Sequence, residues 1–243
     1  MIVWGPGYTA SKHRHHCVQL VMALQGKLWV RSGPGRKWIH CGAALVRTDA
    51  SHEVDATDIQ VLLAFVDAES EFGAALIQKI ESDITVVPNA TVSIWRRQLG
   101  DPATLDGARV EPWVRSHLLP ELQSPRLHPA VRRVLRIMRE EIGTRDEFPL
   151  EQMAEIARLS PSRFMHVFTA SVGVPLRPYI LWLRLQVACG EMMRGASITG
   201  AAQRAGFSDA AHLNRTLRKM MGMTPGELMQ RRAATRAAFA SSD

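Results

Sequence analysis

Apolar residues recur along this chain in two different rhythms. Between residues 13 and 66 they come in short runs, QLVMAL, KLWV, KWIH, AALV and IQVLLAFV, separated by Gly, Pro and polar positions. Runs of this length, bounded by turn residues, predict strands. GPGRK reads as a hairpin turn between two of them. A small antiparallel barrel or sandwich follows. From residue 67 to 119 the rhythm becomes weakly helical, near 69–81, 90–99 and 110–119, with Gly100, Pro102 and Gly107 as interruptions. Those helices would pack on the barrel or build a dimer surface. PELQSPRLHP, residues 120–129, has three prolines in ten positions and predicts an interdomain linker.

Helical periodicity dominates afterwards. Val131, Leu135, Met138 and Ile142 form one apolar stripe with arginines between them. The next helix spans Pro149 to Arg158. Ser160-Pro161 is a strong helix start, a serine cap followed by proline at the first helical position. That helix runs to about Val172 and stops at Gly173. A long helix follows, about Arg177 to Arg194. Ser197 and Ser208 are placed to cap the next two, and Thr224-Pro225-Gly226-Glu227 has the form of a capping box.

These helices hide a duplication. Ala154, Leu159 and Ser160 recur 48 residues later as Ala202, Phe207 and Ser208; Phe164, Phe168 and Gly173 recur 49 residues later as Leu213, Leu217 and Gly222. Each copy needs a small residue where two helices cross, supplied by Ala154 and Ala202. Each needs a sharp turn, supplied in the second copy by Gly206. Each needs apolar anchors at i and i+4 on the buried face of its second helix. That is twice the outline of a helix-turn-helix, which leaves the opposite polar face free to meet DNA bases.

Charge agrees with this division. The net charge is +7, but residues 1–125 carry 12 Lys and Arg against 13 Asp and Glu, whereas residues 126–243 carry 18 against 10. The excess lies entirely with the duplicated half and favours a polyanionic partner. Length allows one large domain or two modest ones. No apolar run approaches the ~18 residues of a membrane span, and no secretory signal opens the chain. Cys17, Cys41 and Cys189 are odd in number and lack zinc-like spacing, which points to a reducing cytoplasm.

Three segments carry a family resemblance: FPLEQMAEIARLSPSRFMHVFTASVG, YILWLRLQVACGEMM and SITGAAQRAGFSDAAHLNRTLRKMMGMTPGEL. Over about residues 128–232 the chain resembles the AraC/XylS-type transcription regulators. It departs at Leu213 and Leu217, where phenylalanine is usual, and at Pro149, in place of a serine cap. Gly190 inside the connecting helix costs about 1 kcal/mol relative to Ala. The resemblance implies two helix-turn-helix units, about 150–172 and about 198–221, joined by a helix at about 177–194. Their reading helices would enter successive major grooves ~34 Å apart. Ser162, Arg163, Met165 and His166 would face DNA from the first, and Ala210, Ala211, Asn214 and Arg215 from the second. Arg215 suits guanine and Asn214 adenine. Arg218 and Lys219 suit phosphate. Met165 would either cap the core or touch a thymine methyl.

GYTASKHRHHCVQLVMALQG, residues 7–26, resembles the first cupin motif, with Gly7, His13, His15 and Gly26 at the expected spacings and Gln19 in place of glutamate. GAALVRTDASH keeps Gly42 and His52 of the second motif. The resemblance would bring His13, His15 and His52 together, and three imidazoles with one oxygen ligand suit a divalent transition metal. A metal-free small-molecule pocket and a purely structural or dimerising barrel are the other two readings.

The expected fold is therefore α+β. Residues 1–122 form a cupin-like sensor or dimerisation domain with accessory helices, and residues 128–232 an all-α AraC-type DNA-binding domain. The expected function is a cytoplasmic, sequence-specific transcription regulator, not an enzyme. It would bind double-stranded DNA and a small effector as a homodimer, and would meet RNA polymerase if it activates; no membrane and no obligatory cofactor enter. The alternative is a metal-dependent cupin enzyme that carries a DNA-binding domain.

Overall fold

The computed structural model describes residues 1–118, 127–145, 147–231 and 236–238. The expected linker at 120–129 lies mostly outside these described residues. The chain divides into two compact units, residues 1–124 with 217–241, and residues 125–216. The fold is α+β, as the sequence implies.

The first unit contains strands β1 (Ile2–Pro6), β2 (Thr9–His13), β3 (Cys17–Ala23), β4 (Leu28–Arg31), β5 (Ile39–Cys41), β6 (Ala43–Val46), β7 (His52–Asp55) and β8 (Gln60–Asp67). Helix α1 (Glu71–Lys79), strand β9 (Ile84–Val86), and helices α2 (Asn89–Leu99) and α3 (Gly107–Leu118) follow. With β10 (Arg236–Ala238), the strands make two antiparallel sheets, ordered β10-β1-β8-β3-β6-β9 and β2-β7-β4-β5. β10 returns from the end of the chain to pair with β1.

β3 is buried at all seven positions, because both of its faces are covered. Val18, Leu20 and Met22 pack with Leu62 of β8, Leu76 of α1, Val92 and Trp95 of α2, and Val110 and Trp113 of α3. Trp95 and Trp113 meet edge to face with centroids 5.6 Å apart. The alternate positions, Cys17, Gln19 and Val21, point to the opposite face. The five apolar runs correspond to β3, β4, β5, β6 and β8. β2 and β7 escaped that pattern because their sequences, TASKH and HEVD, are mostly polar.

The second unit contains α4 (Pro129–Glu141), α5 (Leu150–Ala157), α6 (Pro161–Val172), α7 (Leu176–Met193) and α8 (Ile198–Arg204). α9 (Ala210–Met221) begins in this unit, and its last residues group with the first; α10 (Pro225–Arg231) follows. The α4 stripe buries Val131, Val134, Leu135 and Met138 with Met153 and Ala154 of α5, Phe164 and Phe168 of α6, and Tyr179 of α7. Arg133 of α4 donates to the Ile156 and Ala157 carbonyls at 3.3 and 3.0 Å, which satisfies the C-terminal end of α5.

The duplication is structural as well as sequential. α6 shifted by 49 residues coincides with α9. Leu159 N donates to Ala154 O at 3.0 Å, and Phe207 N donates to Ala202 O at 2.9 Å, so both turns close in the same way. Gly206 turns the second copy with φ +72. Its counterpart 48 residues earlier is Arg158, which takes the left-handed conformation at φ 57.

One expectation fails at the caps. Ser160 caps α6, accepting from Arg163 N at 3.4 Å, but Ser208 does not cap α9. Asp209 does, accepting from His212 N at 2.6 Å. The offset between the copies rises from 48 to 49 inside this turn, so the residue equivalent to Ser160 is one later than the serine.

Gly206→Ala should lower stability by about 1–2 kcal/mol, because only glycine holds a left-handed turn without penalty. Arg158→Gly should be neutral or slightly stabilising. Chemical denaturation of both variants checks the pair; a larger loss for Arg158→Gly would contradict the assignment of the two turns.

Candidate functional site

The two second helices of the repeats offer one candidate surface. Phe164, Phe168 and Val172 bury one face of α6. Ser162, Arg163, Met165 and His166 are exposed, and Met165 is 51% exposed, unusual for an apolar side chain. Aligned by the 49-residue shift, Met165 matches Asn214 and His166 matches Arg215. In α9, Leu213 and Leu217 are fully buried, so leucine fills the positions where phenylalanine is usual. Ala211, Arg215, Arg218 and Lys219 are exposed and Ala210 is half-buried. Asn214 is also half-buried, and its Oδ1 is buried with no hydrogen-bond partner among the described residues. Thr216 is buried, a polar position on this helix that the periodicity did not single out. The backbone N–H of His212 holds the Asp209 carboxyl below its ordinary pKa, keeping the cap charged at the start of α9.

The first unit holds the second candidate. His13 ends β2 and His52 begins β7, and the register of the two strands sets them directly opposite each other. Their ring centroids are 4.0 Å apart. His15 lies in the link that carries the chain from one sheet to the other, 5.0 Å from His52 and 5.6 Å from His13 by ring centroids. Gln19, on the inward face of β3, places its Oε1 3.0 Å from His15 Nε2 and 2.9 Å from His52 Nε2. One ligand nitrogen from each of the three histidines lies within 4.8 Å of the others. All four side chains are buried.

Burial depresses the imidazoles: His13 to about 4, His15 to about 3 and His52 to about 3, with a neighbouring histidine adding to the effect in each case. They are neutral at physiological pH, the form that binds metals. His13 Nδ1 lies 2.7 Å from the Ser11 carbonyl and His52 Nδ1 3.0 Å from the Ala50 carbonyl. A carbonyl only accepts, so both Nδ1 atoms carry the hydrogen and both Nε2 atoms present lone pairs. Ligating histidines are commonly fixed in this way. The donor set therefore fits a divalent transition ion: three neutral imidazoles and a carboxamide oxygen.

The surroundings hold features that motif spacing did not single out. Cys17 Sγ lies 3.0 Å from His15 Nδ1, and burial pushes its thiol well above the ordinary value. His16 turns away to Asp49, 2.9 Å from Oδ2. Burial opposes its charge, but the Asp49 hydrogen bond and the charges of Asp49, Glu69 and Asp67 outweigh it and raise its pKa. Ser11, the anchor of His13, also donates from N and Oγ to the Gly222 carbonyl, at 3.0 and 2.9 Å. Gly7 of the first motif approaches Ala56 so closely that a Cβ would lie 2.1 Å from its carbonyl oxygen.

Comparison with known proteins bears on both regions. A family model described as a helix-turn-helix domain matches residues 153–231. A search of curated proteins finds no match. Among solved structures, the chain is similar to an apo variant of ToxT from Vibrio cholerae strain SCE256, with TM-score 0.61, 12% identity, and coverage of 95% of this chain and 96% of that one. Unsaturated fatty acid bound wild-type ToxT from the same strain gives TM-score 0.56 and 12% identity, covering 94% of each chain. A shorter likeness is to a transcriptional regulator with an AraC-type DNA-binding domain from Chromobacterium violaceum, at TM-score 0.40 and 24% identity over 43% of this chain and 93% of that one. The fold and the domain define a class, a DNA-binding transcription regulator. The chain carries a helix-turn-helix domain over residues 153–231, and its fold is similar to that of ToxT. Among the described residues, no helix is long and apolar enough to cross a membrane.

In metal-free protein at neutral pH, nitrogen NMR should find His13 and His52 protonated at Nδ1 alone. Protonation of either at Nε2 would break the tautomer assignment on which the donor set rests.

Proposed function

We propose that the chain is a sequence-specific transcription regulator that reads two short DNA blocks, one with α6 and one with α9, and adjusts that reading to an effector bound in its first unit. The observation that carries this reading is the repeated helix-turn-helix, in which each second helix buries its anchors and exposes side chains suited to a groove. Arg215 is exposed and placed for a bidentate contact to guanine. Arg218 and Lys219, in the last turn of α9, are placed for phosphate and set register rather than sequence. Met165 has no polar group to offer a base edge, and its exposure suits apolar contact with a thymine methyl. Ser162, Arg163 and His166 complete the first surface, and Ala210, Ala211 and Asn214 the second. The basic second half steers the protein to the duplex. In solution we expect a homodimer.

Selection of bound sequences from a random DNA library at physiological salt tests the reading. A recurring motif of two blocks about one helical turn apart is the expected result. Salt-sensitive binding without an enriched motif would reduce the second half to a backbone grip and overturn it. Arg215→Ala should weaken binding to the selected site by about 1–3 kcal/mol and relax preference at one position. Lys219→Ala should weaken all sequences about equally. Replacing thymine by deoxyuridine in the first block removes only a methyl group, and should weaken the wild type but not Met165→Ala.

A further inference from the structure

We infer that the hairpin of β4 and β5 is a docking surface for another protein, which adds an extended acidic segment to the outer edge of β5.

The sheet edges supply the first argument. β2 and β5 are the two edges of the four-stranded sheet. At the β2 edge, the N–H groups of Ser11 and Arg14 donate to the carbonyls of Gly222 and Lys219, at 3.0 and 3.3 Å. In the other sheet, β10 covers the edge of β1. β5 pairs with β4 alone, and among the described residues no backbone hydrogen bond reaches its other side. Such an edge is a template for one more strand.

Exposure is the second. Residues 34–40 are all exposed. Trp29, Trp38 and Ile39 are 44%, 38% and 37% exposed, three large apolar side chains on one hairpin. Both tryptophans are already held in place. Trp29 stacks on His40, with centroids 4.2 Å apart and planes at 15°. The Arg31 guanidinium lies 4.5 Å from the Trp38 ring centroid and is itself fixed by Glu53 at 2.8 Å. Rings fixed beforehand lose little entropy when a partner covers them. Tryptophan beside arginine is the composition of binding hot spots.

Charge decides the partner. Residues 27–41 contain Lys27, Arg31, Arg36 and Lys37 and no Asp or Glu, within a half of the chain whose balance is slightly acidic. Glu53 compensates Arg31. The side chains of Arg36 and Lys37 are exposed and make no ion pair among the described residues. An acidic segment complements them. A second copy of the chain would instead bring an equally basic hairpin to the same edge. A nucleic acid has no use for a strand edge, and its phosphates on the sheet face would meet Asp55 and Glu53, the cross-strand neighbours of Trp29 and Arg31 on β7. A segment added beyond β5 lies three strand spacings from β7, about 14 Å, where those carboxylates are largely screened. Its alternate side chains would lie against Ile39 and against the face of Trp38 and His40. The fitting sequence is therefore apolar at its centre and acidic at the end beside Arg36 and Lys37.

The experiment selects a random heptapeptide library, displayed on phage, against the full-length protein, and titrates the enriched peptide calorimetrically. Asp and Glu flanking an apolar residue should be enriched. Trp38→Ala, and Arg36→Glu combined with Lys37→Glu, should each weaken that peptide by roughly tenfold or more, whereas Ile94→Ala, at an exposed apolar position elsewhere, should not. The charge reversal involves two exposed side chains and keeps the test decisive if Trp38→Ala fails to fold. Methylating alternate backbone nitrogens of the peptide should abolish binding in one of the two series only; an equal effect in both would overturn strand addition. No enrichment, enrichment without acids, or binding that neither hairpin variant weakens would overturn the site. Two further results would do the same by giving the surface another occupant: oligothymidylate binding lost in the hairpin variants, or a dimer in sedimentation that the charge reversal dissociates.

Discussion

The first unit is organised around a single buried amide. Gln19 lies on β3, a strand with no exposed residue, so its side chain cannot reach water. An amide left without partners in such a place costs a few kcal/mol. The register of β2 against β7, the position of His15 in the link between sheets, and the inward face of β3 all converge on it. The outer face of the same strand is occupied by apolar contacts with α1, α2 and α3. One seven-residue strand thus separates an apolar layer, which stabilises the unit, from a polar cluster, which gives it chemistry.

The second unit obeys a different constraint. Each helix-turn-helix must close a left-handed turn over a small residue, and the two copies do so with different residues. Ala154 and Ala202 are both buried at the crossing, which lets the helices approach. Gly206 takes the turn without strain, whereas Arg158 takes it as an ordinary residue, its backbone N–H donating to the Glu155 carbonyl at 2.9 Å. Arg133, reaching from α4 to the end of α5, braces the first copy further. The second copy has its own tie, since Glu191 of α7 pairs with Arg194 and with Arg204 of α8. Exposed pairs of this kind add little stability, so the bracing is chiefly geometric.

Much of this is legible in the sequence. Helices announce themselves through period and caps, and Ser160-Pro161 and Thr224 to Glu227 mark true starts. The strands that carry apolar runs were legible for the same reason. β2 and β7 were not, because the residues that make them valuable, His13 and His52, read as polar and exposed in an alternation count. They became visible only through motif spacing, which found the histidines but not their anchors. Ser11 and Ala50 contribute backbone carbonyls, and any residue type has one. The Asp209 cap was missed because a single inserted residue shifts the copies by one inside a turn, where periodicity carries no signal.

ToxT in its fatty-acid-bound form shares the fold at 12% identity, and a fold is compatible with many ligands. What an interior can hold is decided by the side chains that fill it. Here Val21, Val54, Val61 and Leu63 leave a space of about 10 Å³ beside His13 and Gln19. A long apolar ligand would have to displace those side chains and desolvate the histidines without replacing their partners. His13 and His52 are instead anchored by the Ser11 and Ala50 carbonyls, so the interior of this unit is held by its own side chains and backbone.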